Sequence, residues 1–353
     1  MDIINIFQQA SEMNATDIFM IAGKPITVKV FNKLVTIGEE RLLPDMTYQM
    51  IKQTYELGKR DFSILEKHGD DDFSFSIHGL SRFRISTYKQ RGSYAAVIRV
   101  ISFDLPIPKE IGISDEIIHL VDIKKGLILV TGPAGSGKST TQACMIDYIN
   151  KTQSKHIITL EDPIEYLHSH NQSIVSQREI SLDSESYVSA LRAALRQAPD
   201  VILLGEMRDF ETINIALTAA ETGHNVISTL HTLGAASTID RIIDVFPANQ
   251  QHQIAIQLSM TLETVISQQL VPTIDGKLIP AFEIMVVTPA IRNMIRDNKI
   301  HQIDGVIASS ADSRMISMDN SLLRLYNENV ITRETALLFS TNPELMERKL
   351  KIK

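Results

Sequence analysis

The sequence predicts an α/β protein: a parallel sheet covered by helices, a smaller mixed α/β domain before it and a mostly helical region after it. Three observations predict this. Residues 132–140 read GPAGSGKST, and they stand between the apolar run 127–130 and a stretch whose Ala143, Ile146 and Ile149 recur at helical spacing. Four apolar runs, at 126–130, 156–160, 201–204 and 225–230, alternate with helical patterns, as parallel strands joined by helices do. Pro106, Pro108 and Gly112 interrupt residues 102–114, which therefore read as a linker that sets residues 1–101 apart.

Taken in order, Ile3, Ile4 and Phe7 begin a short helix. The runs 18–21 and 27–30 are strands split by Gly23 and Pro25. Residues 43–57 are helical in pattern, with Pro44 near the start. Phe73, Phe75 and Ile77 alternate with polar residues, and His78-Gly79 makes a turn. Arg82 and Arg84 then share the face opposite Phe83 and Ile85, and 95–101 is a further strand. Residues 117–121 are helical and lead into the sheet of the core, 115–270. Residues 271–353 carry helical periodicity at 321–326 and 332–339 and end on a basic ERKLKIK.

Gly132, Gly137, Lys138 and Ser139 occupy the fixed positions of G-x-x-x-x-G-K-[ST]. A strand, a glycine-rich turn and a helix are the context this motif needs. The turn from Gly132 through Pro133, Ala134, Gly135, Ser136 and Gly137 aims backbone N–H groups at a phosphate chain, and the helix end at Lys138, Ser139 and Thr140 adds partial positive charge. Lys138 is placed to reach the terminal phosphates of ATP and Ser139 to hold Mg²⁺.

Three further strand ends carry chemistry. The run 201–204 leads to Gly205-Glu206, and a carboxylate there suits orientation of an attacking water. Asp200 and Asp209 flank that strand as capping or outer residues. The run 157–160 ends in Glu161-Asp162-Pro163-Ile164-Glu165; Glu161 is the candidate metal or water ligand, with Glu165 behind it. The run 226–230 ends in His231, with His224 just before it, and a histidine at that edge suits sensing of the γ-phosphate.

Composition narrows the alternatives. A net charge of −7 argues against a large nucleic-acid surface. The single cysteine, Cys144, excludes an internal disulfide and a four-cysteine zinc site, and it fits a reducing compartment. The opening MDIINIFQQA has no basic segment of a signal peptide, and no apolar run reaches the roughly 18 residues of a membrane span.

These elements in this order resemble the secretion-ATPase superfamily of type II and type IV secretion and type IV pili. The matching stretches are GPAGSGKST, TLEDPIEY (159–166), VILLGEMRD (201–209) and STLHT (228–232), which look like Walker A, the Asp box, Walker B and the His box. FSFSIHGLSRFRIS, LRAALRQAPD, ALTAAETGHNVISTLHT, TIDRIIDVFP and AIRNMIRDNK resemble the pilus-retraction ATPase family, PilT, in particular. Phe19, Lys29, Ala198 and Met294 depart from the family pattern.

The resemblance implies a PAS-like N-terminal domain and a RecA-like, Mg²⁺-dependent ATPase domain in a homohexameric ring. It implies a place in the cytoplasm at the inner face of the membrane, reached through an inner-membrane pilus platform protein, and pilus retraction as the work performed. It also implies arginines reaching nucleotide from the N-terminal domain, here Arg84, Arg91 and Arg99 with Arg82 nearby, and a C-terminal signature at 290–299 tied to retraction. The periodicity of that stretch puts Ile291, Met294 and Ile295 on the core and leaves Arg292, Asn293 and Arg296 available to a partner or a neighbouring subunit. The rival readings are a type II or type IV secretion ATPase of similar architecture and a RecA-like nucleic-acid translocase.

Overall fold

The computed structural model describes residues 3–30, 33–101 and 105–351. The chain divides into two compact units, one of residues 1–104 with 165–167 and the other of 105–164 with 168–353.

The first unit runs α1 (Ile3–Glu12), β1 (Asp17–Met20), β2 (Ile26–Val30), β3 (Lys33–Ile37), α2 (Pro44–Leu57), α3 (Ser63–His68), β4 (Asp70–Ile77), β5 (Ser81–Gln90) and β6 (Ser93–Ile101). Its strands form an antiparallel sheet in the order β3-β2-β1-β6-β5-β4. The alternation along β5 has the expected result: Phe83 and Ile85 are buried, and the Arg82 and Arg84 face is not. Phe83 stacks on Phe7 of α1 at 4.4 Å between ring centroids, which closes the core against the helix. Arg91 and Gly92 both adopt positive φ, giving the tight two-residue turn between β5 and β6.

The second unit runs α4 (Asp115–Ile118), β7 (Gly126–Thr131), α5 (Lys138–Thr152), β8 (His156–Glu161), β9 (Ile174–Glu179), α6 (Tyr187–Ala194), β10 (Val201–Leu204), α7 (Phe210–Glu221), β11 (Asn225–Leu230), α8 (Ala235–Asp244) and α9 (Ala248–Thr261). It continues with β12 (Leu262–Pro272), β13 (Leu278–Val286), α10 (Pro289–Arg296), α11 (Ile303–Ser309), α12 (Met318–Asn327), α13 (Arg333–Phe339) and α14 (Pro343–Lys351). The sheet order is β13-β12-β7-β11-β10-β8-β9, parallel throughout except for β13. Every residue of β7, β10 and β11 is buried, because helices cover both faces. Leu127 and Leu129 face one core while Ile128 and Val130 face the other. The parallel strands share a direction, so Thr131, Glu161, Leu204 and Leu230 all finish at one edge.

Two expected boundaries shift. Of the linker expected at 102–114, residues 102–104 lie outside the described residues, and 105–114 belong to the second unit. Ile113 is buried with Ile128 and Ile146, and a Cβ on Gly112 would meet Ile279 at 2.7 Å. The core does not end at 270, and the chain just beyond that point is not helical. Residue 270 falls within β12, and β13 pairs with β12 from Thr264↔Val286 to Pro272↔Leu278. The polar trio Ser267-Gln268-Gln269 hides this strand from a hydropathy reading, yet all three side chains are buried. Beyond the hairpin, Asp319 of α12 accepts hydrogen bonds from the N–H groups of Thr341 and Asn342, which anchors the start of α14.

Candidate active site

The phosphate loop is shaped by what surrounds it. Gly132 follows the buried β7 at φ 142°, and a Cβ there would lie 2.2 Å from the carbonyl oxygen of Gln268 and 2.8 Å from Ser136 Oγ. No residue with a side chain fits. Gly137 caps α5 at φ 85° and leaves the first N–H groups of that helix without an intrahelical acceptor. Ser136 Oγ is buried without a hydrogen-bond partner. A buried hydroxyl and a ring of N–H groups around a glycine cradle suit a phosphate chain, the group that ATP would bring. Lys138 Nζ bends back onto the loop, donating to the carbonyls of Gly132 at 2.8 Å and Pro133 at 2.9 Å. Pro133, Ala134 and Gly135 are exposed at the rim.

Gln268 of β12 clamps this loop from beneath. Its Nε2 donates to the Ser136 carbonyl at 2.5 Å, and its Oε1 accepts from Thr141 Oγ1 of α5 at 2.8 Å. The sequence pattern assigns Gln268 no role. The available signal is a run of polar residues inside an otherwise apolar strand.

Glu206 projects just past β10. Gly205 before it receives support from both neighbouring strands: its N–H donates to Leu160 O at 2.8 Å, and its carbonyl accepts from Thr229 Oγ1 at 2.6 Å. A Cβ on Gly205 would meet the Tyr187 hydroxyl at 2.8 Å, so any side chain there would have to displace that phenol. The Glu206 carboxylate pairs with Arg208 at 2.6 Å through one oxygen and lies 3.4 Å from His231 Nε2 through the other. His231 Nδ1 in turn stands 3.5 Å from Lys138 Nζ, so one imidazole spans the ammonium and the carboxylate. Burial pushes the Tyr187 phenol well above its ordinary pKa, reinforced by the charges of Glu206, Asp162 and Glu161. Arg208 lies within VILLGEMRD, yet nothing in that stretch marks it out; only geometry reveals its pairing.

Glu161 ends β8 at the same edge. Its Oε1 accepts from Thr159 Oγ1 at 2.6 Å and from Gln177 Nε2 at 3.2 Å. Among the described residues no group of three or more His, Cys, Asp or Glu is arranged to hold a metal ion. Ser139 in the first turn of α5 and Glu161 nevertheless suit Mg²⁺, which takes one or two protein oxygens and otherwise water and phosphate.

His224 requires a correction. It precedes β11, whereas His231 follows it, so a whole buried strand of roughly 20 Å separates the two. Its Nδ1 is 2.9 Å from Ala219 O and 3.4 Å from Thr222 Oγ1, where it closes the end of α7 far from the phosphate loop. Asp209 is an N-cap, accepting from Thr212 N, and Asp200 accepts from His156 N, so both are structural. Glu165 groups with the first unit.

Residues 2–302 match the family model for type II/IV secretion system protein. This chain belongs to that family. It is 41% identical to the type IV pilus retraction ATPase PilT of Pseudomonas aeruginosa, over 98% of this chain and 99% of that one. It is 44% identical to a twitching motility protein of Neisseria gonorrhoeae, over 86% and 82% of the two chains. Among solved structures it is similar to the pilus retraction motor PilT with bound ADP, with a TM-score of 0.89, 45% identity and 99% of each chain covered. It is also similar to the ATPase DotB of Legionella pneumophila, with a TM-score of 0.75 and 27% identity over 95% and 94% of the two chains.

In this type II/IV secretion system protein the expected arginines do not form one group. Arg84 and Arg99 are register partners across β5 and β6, and Arg99 Nε donates to Asp17 Oδ1 at 3.3 Å. Arg82 lies on the same face as Arg84 and donates to Ser76 Oγ at 3.4 Å. Arg91 instead occupies the exposed turn, roughly 20 Å along the strand from Arg84. Within the first unit Arg84 and Arg99 are brought together with Arg82 beside them on β5, and Arg91 stands apart.

The C-terminal signature also divides. Ile291 and Ile295 are buried and Met294 half-buried, as its periodicity requires. Arg292 is not left for a partner. Its guanidinium donates to Ser259 O at 2.8 Å, Leu262 O at 3.3 Å and Glu263 Oε1 at 2.8 Å, capping α9. Asn293 and Arg296 remain exposed and bond each other.

Proposed function

We infer that this chain hydrolyses ATP and that the work it drives is retraction of type IV pili. The observation that carries the chemistry is Glu206, held at the sheet edge between Arg208 and His231, one imidazole away from Lys138. A carboxylate fixed there accepts a hydrogen bond from the attacking water and orients it toward the γ-phosphate. Lys138 exchanges two neutral carbonyl acceptors for anionic phosphate oxygens, which make stronger hydrogen bonds. His231 touches both groups and so links phosphate contact to the carboxylate. Ser139 and Glu161 would hold Mg²⁺, which would neutralise phosphate charge when bound.

The same reading makes the second unit a RecA-like motor and the first a PAS-like domain, supported by the parallel sheet with its phosphate loop and by the antiparallel sheet with its helices. It takes the chain as a homohexamer in which Arg84 and Arg99, with Arg91 from its own turn, approach nucleotide. Its partners are the pilus machinery and an inner-membrane platform protein, met at the cytoplasmic face of the membrane, with no nucleic acid. No described helix is long and apolar enough to cross a membrane. The supporting comparison is the similarity to PilT over nearly the whole chain.

The test is Glu206→Gln in the purified protein and in cells. Nucleotide still binds, because the phosphate loop is unchanged. Turnover falls by about 100-fold or more, the usual contribution of a positioned base, and pili no longer retract. Wild-type turnover in this variant would overturn the assignment.

A further inference from the structure

We propose that Glu283 is a positioning residue for the hydrolytic site: its carboxylate holds the turn that carries His231 and ties that turn to the start of α12. The proposal rests on the role of His231 inferred above.

β11 ends at Leu230 and α8 begins at Ala235, so residues 231–234 are the whole connection between strand and helix. The N-cap of α8 is Gly234, which has no side chain with which to satisfy the first N–H groups of the helix. The β12–β13 hairpin supplies the missing acceptors. Ser267 and Glu283 are register partners, so their side chains emerge together on one face. Ser267 Oγ accepts from Gly234 N at 2.8 Å, and Glu283 Oε1 accepts from Ala235 N at 2.8 Å. Within the turn, Thr232 Oγ1 meets Thr238 Oγ1 at 2.7 Å, and Thr238 Oγ1 donates to Gly234 O at 2.7 Å. His231 is therefore the first residue of a segment pinned along its length, and its reach to Glu206 and Lys138 depends on that pinning.

The second oxygen of Glu283 points the other way. It accepts from Met318 N, the first residue of α12, at 3.4 Å. One buried carboxylate thus serves two helix N-termini, where negative charge is favoured by both dipoles. Burial and the charges of Asp304 and Asp319 push its pKa up, and the two N–H donors oppose them. A movement of the His231 turn on nucleotide exchange would pull on α12 through this side chain, and α12 in turn holds the start of α14 through Asp319.

Glu283→Gln preserves volume and one acceptor, and it is compared with wild type both alone and in a His231→Ala background. The measurements are kcat, KM for ATP, affinity for ADP, and amide hydrogen exchange over residues 231–238. The expected result is a fall in kcat of about ten-fold, with ADP affinity within about two-fold, because a lost charge-assisted bond loosens the turn and leaves the phosphate loop alone. Exchange over 231–238 accelerates. In the His231→Ala background the substitution no longer changes kcat, since two residues acting through one contact are not additive. Unchanged exchange, an unchanged kcat, or the full effect persisting without His231 overturns the proposal. The exchange measurement needs no hydrolysis, so it separates failure of this proposal from failure of the functional reading.

Discussion

The carbonyl oxygen of Gln268 occupies the space that a side chain on Gly132 would need: the distance to an ideal Cβ is 2.2 Å. Backbone meets backbone here, where the chain leaves β7 beside β12, so neither partner can yield. Gly132→Ala is expected to displace the phosphate loop from β12 and to weaken ADP binding by about ten-fold or more, since overpacking of this kind costs roughly 1–3 kcal/mol. Titration calorimetry with ADP measures it; wild-type affinity would mean that the loop has slack which this packing denies.

Gln268→Glu is a milder probe of the same junction. The acceptor for Thr141 survives, but the donor to the Ser136 carbonyl becomes a second acceptor. The expected outcome is a rise in KM for ATP of about ten-fold with a smaller change in kcat, because the proposed function assigns phosphate binding to the loop and water orientation to Glu206. Steady-state kinetics at saturating Mg²⁺ decide it, and an unaltered KM would remove Gln268 from the site.

Arg292→Ala tests stability rather than partner binding. The guanidinium satisfies two carbonyls at the end of α9 and pairs with Glu263, so its loss is expected to cost about 1–3 kcal/mol. Asn293→Ala, on the exposed side of the same helix, should leave stability within about 0.5 kcal/mol. Urea unfolding of the two variants checks this. Equal stabilities would show that the α9 cap is dispensable.

His168 provides a pH dependence. Burial lowers its pKa to about 4 from the ordinary 6.5, and its Nδ1 is buried without a partner. The unfolded chain therefore binds more protons than the folded one between these two values, and stability falls as the pH drops through that window. Above the upper value both states are neutral and nothing is lost. The full loss is roughly 3 kcal/mol. His168→Gln should lose less stability than wild type between pH 7 and pH 4.5, measured by urea unfolding. Parallel losses in the two proteins would place the titration elsewhere.

The residues of the candidate site were legible because their pattern is local. A phosphate loop needs its glycines, lysine and hydroxyl consecutively, and a buried parallel strand announces itself as an apolar run whose next residues lie at the sheet edge. Lys138, Ser139, Glu161, Glu206 and His231 can all be named in this way from residues adjacent in sequence. His224 shows the limit: an adjacent histidine at the wrong end of a strand looks the same in one dimension.

What tertiary structure alone decided is which distant groups complete that site. Gln268 lies 132 residues from the carbonyl it clamps, and Glu283 lies 48 residues from the N–H it caps. Both are polar residues in a hairpin whose pattern hides it, and their value comes from burial, which only packing supplies: a hydrogen bond to a buried group is costly to lose, while the same side chain on a surface is nearly neutral. Arg292 makes the same point in reverse. Its helical position alone faces outward, and its long side chain turns back to three acceptors which the sequence does not place beside it. The sequence by itself determined the apolar parallel strands of the core, the phosphate loop and the place of Glu206 at a strand end, because each is written in consecutive residues; the β12–β13 hairpin and the side chains that hold the loop became known only when the sheet brought remote segments into contact.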